Sequence, residues 1–173
     1  SNAPLRAGKG WLYEGGIRAP LLVKWPGVTD PGAVVDAVAV SHDLYPTLLA
    51  MANLPLRPQQ HVDGVNLVPL LRALGGGADL ETAAARDTVL WHFPHYHGSG
   101  NRPSAAIRAG DWKLVHWFED GSSELYDLRT DLGELENVAA AEPDLVSALE
   151  ARLQEGLADM EANLPTPMGG EAR

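Results

Sequence analysis

The sequence contains no cysteine, which excludes disulfides and thiolate metal sites within it. It has no run of about 18 apolar residues, so nothing in it reads as a membrane-spanning helix. Positive charge is scarce: 13 lysines and arginines stand against 23 aspartates and glutamates, a net charge of −10. Nucleic acids and anionic membrane surfaces need a basic footprint, so neither is an expected partner. An anionic substrate must instead be held by a local cation, against the field of the whole chain. No secretory leader is visible, and that leaves the compartment open. Ser1-Asn2-Ala3 reads as a remnant of tag removal and is set aside.

What is present is enough for one domain of ordinary size: 173 residues, 45% of them apolar. The chain is organised around Gly8-Lys9-Gly10-Trp11-Leu12-Tyr13-Glu14-Gly15-Gly16-Ile17-Arg18-Ala19-Pro20. Glycines let the main chain approach a ligand closely, and Lys9 is a cation held between two of them. An apolar run follows: Leu21 to Trp25, closed by Pro26-Gly27, reads as a buried strand. A charged loop feeding a core strand suits a site for a small anion. Spacing alone reads Lys9 in the first place as a solvated surface charge. It is not a phosphate-binding P-loop, because no Ser or Thr follows the lysine.

Further along, Leu44 to Ala52 reads as a helix, with Ser41 or Asp43 at its N-cap and Leu44, Leu48, Met51 and Ala52 on its apolar face. Pro46 fits only its first turn. Asn66 to Leu74 reads as a second short helix, broken by Gly75-Gly76-Gly77. Residues 4–77 form the first segment, 78–86 a linker, 87–164 the second segment and 165–173 a tail. The second segment predicts four antiparallel strands, Asp87–Phe93, Ser104–Arg108, Asp111–Phe118 and Ser123–Leu128, with turns at Ala109-Gly110 and Asp120-Gly121. A helix from Pro143 to about Asn163 carries a leucine stripe for the sheet to cover. The loop His92-Phe93-Pro94-His95-Tyr96-His97 with Arg102 has a histidine spacing that is only a weak metal signal. Ring-nitrogen and aromatic donors suit sugar contacts better. The acids Asp131 and Glu134 read as capping and solvating groups, and no chemistry is assigned to them.

Gly8 to Gly27 resembles the lysine-bearing signature of the sulfatases, in the alkaline phosphatase superfamily, which reads approximately G-K-x-x-x-Y-E-G-G-x-R-x-P with W-P-G after a short strand. Leu125 to Asn137 and Pro103 to Leu114 resemble C-terminal segments of the same family. The resemblance covers Leu5 to about Leu164 and only the C-terminal part of an arylsulfatase-like enzyme. It implies a fold running from α/β to α+β, a partial sulfatase fold ending in a four-stranded antiparallel sheet packed by a long helix. It also implies Lys9 as the sulfate-binding catalytic residue, and a loop bordering the substrate pocket, with His92, His95, His97 and Arg102 as substrate contacts. The family uses calcium and a formylglycine made from Cys or Ser in C/S-x-P/A-x-R, both lying toward its N-terminal side. Ser104-Ala105-Ala106-Ile107-Arg108 fits that pattern by chance, because it enters a hairpin rather than a helix. No metal ligand is assigned and no cofactor is expected in this chain alone. The expected partners are a sulfated small molecule or glycan and the missing N-terminal sulfatase region. The chain alone is expected to be inactive. A periplasmic or secreted location fits the resemblance. A strand at residues 21–25 without sheet neighbours predicts a homo-oligomer. The alternatives are a stand-alone module that binds sulfated glycans without cleaving them, and a purely structural piece.

Overall fold

Four strands, β1 (Thr88–Phe93), β2 (Ser104–Ala109), β3 (Trp112–Trp117) and β4 (Ser123–Asp127), pair antiparallel in the order β1-β2-β3-β4. The computed structural model that shows them describes residues 2–74 and 86–166. The registers run Thr88↔Ala109, Ala109↔Trp112 and Trp112↔Asp127 at the paired ends. Gly110 and Gly121 both take positive φ, as the turns require. The expected glycine break at 75–77, nearly all of the linker and most of the tail lie outside the described residues.

Alternation along each strand divides the sheet into two covered faces. One face presents Ala105, Ile107, Leu114 and Leu125, and the long helix (Pro143–Asp159) lays Leu149, Leu153 and Leu157 on it. The helix ends at Asp159, short of the expected Asn163, and Met160 and Leu164 beyond it are exposed. The other face presents Ala106, Val115, Trp117 and Tyr126, and Leu12 and Tyr13 of the lysine loop cover it. The loop is therefore the second layer of this unit. Residues 4–20, grouped with the first segment on sequence, pack here instead. Arg6, Tyr13 and Glu14 each bond to β3, β4 or the loop after them.

Among the described residues of the second unit, Leu21–Arg86, two α-helices form, α2 (Leu44–Met51) and α3 (Val68–Ala73). Asp43 stands at the N-cap of α2 as expected, but its side chain makes no capping bond there. Its buried carboxylate accepts the amides of Val40 (2.8 Å) and Val65 (2.7 Å) and pairs with Arg86. Thr47 ties α2 to α3, accepting the Leu67 amide at 2.9 Å. The buried face of α2 is thus Pro46 and Thr47, while Leu44 and Leu48 are exposed, the reverse of the expected face.

The strand expected at Leu21–Trp25 does not form, and Leu22 is 87% exposed. A strand needs a partner for its backbone amides and carbonyls. Among the described residues no strand pairs with this segment, and the Trp25 backbone bonds into the turn that follows, at Val28 and Thr29. The four-stranded sheet and its packed helix stand as expected, while the opening strand does not form.

Candidate functional site

Lys9 is exposed, and among the described residues its ammonium has no hydrogen-bond or ion-pair partner. Its backbone is fixed all the same. The Trp11 amide donates to the Gly8 carbonyl at 3.1 Å, closing a tight turn under the lysine. Gly10 takes φ +90°, a conformation open to glycine at no steric cost, and the His97 ring lies where a side chain at position 10 would be. The loop then folds onto a single helical turn, α1 (Glu14–Ile17). A Cβ on Gly16 would stand 2.6 Å from the Gly8 carbonyl oxygen and closer still to that of Trp11. Gly16→Ala should therefore lower stability by about 2–3 kcal/mol, read as a shift in the urea midpoint. An unchanged midpoint would show that the close approach is dispensable.

The five sequence-predicted side chains do not form one cluster. His97 reaches Lys9's neighbour Gly10, as described. Its Nδ1 accepts the Ser99 amide (3.2 Å), which leaves Nε2 to carry the proton of the neutral ring. The Phe93 ring meets the His95 and His97 imidazoles edge-on at 5.9 and 6.1 Å. Arg102 is already engaged, donating to Glu119 (3.1 Å) and Asp120 (3.0 Å), with its guanidinium over the Trp117 ring at 4.7 Å. The hydroxyl and amide of Ser122, and then Arg102, hold the Asp120 carboxyl well below its usual range. His92 belongs to the opposite face of the sheet. Its Nε2 bonds the Asn163 carbonyl at 2.9 Å and its ring meets Phe118 edge-on, because strand alternation turns it away from Trp91 and Phe93. Its ring does not share the face that carries Lys9.

The largest electrostatic feature was missed on sequence. Lys113 of β3 is 0% exposed, and its Nζ donates to Glu14 Oε1 at 3.0 Å and to Glu134 Oε1 at 2.7 Å. Glu134, also 0% exposed, accepts the Glu14 amide at 2.6 Å through its other oxygen. Glu134 is thus a buried ion-pair partner, not a solvating loop acid. Arg6 lies beside the cluster, 3.8 Å over the Tyr13 ring, donating to the Tyr126 hydroxyl (2.7 Å) and the Glu134 carbonyl (2.9 Å). A signal was there to find: Trp112 and Leu114 suit one face of β3, and Val115 and Trp117 suit the other. A strand apolar on both faces is covered on both, so the lysine within it must be buried and paired.

Two carboxylates compete for one buried ammonium. Burial pushes Glu14 up, but the Lys113 charge and hydrogen bond, with Arg18 at 3.1 Å, bring it below its ordinary 4.5. Burial also pushes Glu134 up; Lys113 only partly offsets that, and the Glu14 charge adds to it, so Glu134 stays above 4.5. Glu134 then holds its proton more tightly folded than unfolded. It favours the folded state most at low pH, and that contribution is lost as pH rises through the window just above 4.5. Glu14 acts oppositely, its contribution being lost as pH falls below 4.5. The difference in stability between wild type and Glu134→Gln should slope downward from about pH 4.5 toward neutrality. A pH-independent difference in urea titrations would contradict the assignment.

The residues do not fit the family's calcium or its formylglycine. Among the described residues no three His, Asp or Glu side chains group as a metal would need. Ser104, the only residue in a formal S-x-A-x-R match, is a fully buried β2 residue paired between Phe93 and Trp117.

Comparison with known proteins places this geometry. The model for the C-terminal part of N-sulphoglucosamine sulphohydrolase matches residues 7–163. A sulfatase of Formosa agariphila is 37% identical over 179 residues, covering 96% of this chain and 31% of that protein. Human arylsulfatase A is 37% identical over 172 residues, covering 84% of this chain and 32% of that protein. Among solved structures, Ps i-CgsB superposes with a TM-score of 0.69 at 28% identity, over 90% of this chain and 32% of its own. BT4656, solved in complex with its substrate D-glucosamine-2-N,6-O-disulfate, gives a TM-score of 0.66 at 24% identity over 82% of this chain and 28% of its own. The chain therefore spans about a third of the length of the relatives it matches.

Proposed function

Because this chain belongs to the sulfatase family and spans the C-terminal portion of it, we propose that it is the C-terminal part of a sulfate-ester hydrolase, supplying Lys9 to the sulfate group and a wall of the substrate pocket. The observation that carries this reading is a cation left unpaired at the end of a rigid support. Lys9 is exposed and, among the described residues, unbonded, while the glycines around it are packed. Hydrolysis of a sulfate ester builds negative charge on the sulfuryl oxygens and on the leaving oxygen. A fixed ammonium aimed at that charge stabilises the transition state without having to reorganise. His97 and His95 stand on the same loop system and donate hydrogen bonds to sugar hydroxyls or to sulfate. His92 and Arg102 are engaged elsewhere, and their part in binding is small. The nucleophile and metal ligands come from outside this chain, so no step is assigned to them here.

A sulfated sugar is the substrate class this reading favours. Its support is the aromatic and imidazole lining of the loop and the disulfated glucosamine bound by BT4656. A second reading, assembly with a further copy of this chain, has one observation in its favour: Leu21, Leu22 and Val34 are exposed apolar residues within one unit. Light scattering that shows only monomer at micromolar concentration would count against it.

Sequencing the source DNA upstream of the Pro4 codon tests the main reading. The expected result is an in-frame region encoding C/S-x-P/A-x-R and paired aspartates. A start codon at or just before Pro4 would reject it in favour of a binding module or remnant.

A further inference from the structure

The buried ionic cluster lies outside the chemistry just proposed, yet the lysine loop hangs from it. Glu14 opens α1, and its carboxylate and amide are both held, the first by Lys113 and the second by Glu134. The next residue, Gly15, donates its amide to the Arg6 carbonyl at 2.9 Å, and Arg6 in turn donates to the Glu134 carbonyl. Gly16 packs on the carbonyls of Gly8 and Trp11, the two ends of the turn that bears Lys9. On the N-terminal side of Lys9 the path runs through Arg6 to the Glu134 main chain, and on the C-terminal side through Glu14 to the Lys113 and Glu134 side chains.

We propose that the Lys113–Glu134 pair is the positioning element for Lys9, acting through Glu14. The catalytic half of this inference rests on the reading of Lys9 given above. Packing alone presses Leu12 and Tyr13 onto the sheet but does not fix how α1 is turned. A carboxylate and an amide held at separate atoms fix both place and orientation, and replacing such a pair by apolar groups keeps burial but loses that constraint. Among the described residues Lys9 has no side-chain partner, so the backbone sets where its side chain starts. A displacement of about 1 Å at a reacting group is enough to cost on the order of a hundredfold in rate.

Amide hydrogen exchange on the 173-residue chain tests the anchoring. Lys113→Met is the direct variant. Glu14→Met is the safer one, because it leaves a charge-balanced Lys113–Glu134 pair. In Glu14→Met the Trp11 and Gly15 amides should exchange at least about tenfold faster. Val138, whose amide bonds the Leu125 carbonyl, should be unchanged. Unchanged Trp11 and Gly15 amides would overturn the anchoring. The link to Lys9 is read from a double-mutant cycle on the chain extended by its upstream region, with p-nitrophenyl sulfate as probe. Glu14→Met should lower kcat/KM about tenfold in the wild-type background and not at all in Lys9→Ala. Equal losses in both backgrounds would mean a merely structural role and overturn the proposal. Turnover unaffected by Lys9→Ala itself would reject the catalytic half, and the exchange data would still decide the anchoring.

Discussion

Lys113→Met should lower the unfolding free energy by about 3–5 kcal/mol, the usual cost of leaving buried charge without its partner. The substitution keeps the length and apolar stem of the side chain and removes only the ammonium. Glu14 and Glu134 would then face each other without the buried cation that offsets their desolvation, Glu14 keeping Arg18 beside it. Domains are stable by only about 5–15 kcal/mol, so this one change would remove a large share of the total. Adding Glu14→Gln and Glu134→Gln should recover most of the loss, because no unpaired charge is left and the amide of residue 14 keeps an acceptor. Urea denaturation at neutral pH reads both variants. A loss below about 1 kcal/mol for Lys113→Met would put the cluster in contact with water and undo the account of it.

Lys9→Ala should do the opposite: a large effect on turnover and almost none on stability. Removing one fixed donor from a developing oxyanion costs about 10²–10³ in rate, and that loss is expected in kcat for an aryl sulfate with the upstream-extended chain. An exposed side chain without partners contributes within about 0.5 kcal/mol to folding, so the melting curve should superpose on wild type. Lys9→Arg should restore only part of the rate, since the planar guanidinium presents its charge differently from a compact ammonium. A destabilised Lys9→Ala protein, or one with full activity, would each contradict the role assigned here.

The sheet and the long helix were readable because local signals agreed with burial. Alternation in Trp112 to Trp117, glycines at 110 and 121, and leucines at 149, 153 and 157 all pointed to what the structure contains. Leu21–Trp25 misled for a physical reason: an apolar run states that a segment wants cover, not that its cover is present. The face of α2 was misread because Thr47 and Pro46 are buried to satisfy the Leu67 amide and the close approach of Gly64, needs that no hydrophobic period records. His92 was grouped with His95 and His97 by spacing, although a strand reverses direction at every residue and a loop does not. The lysine proposed to bind sulfate was readable from its motif, while the cluster proposed to position it joins residues 14, 113 and 134 and has no local signature.

The most direct test of the central claim is turnover of p-nitrophenyl sulfate, measured side by side for the 173-residue chain and for the same chain carrying its upstream region in matured form. Hydrolysis only by the extended protein, abolished or cut at least a hundredfold by Lys9→Ala, is the predicted result. Hydrolysis by the 173-residue chain alone, or none by the extended protein, would contradict it.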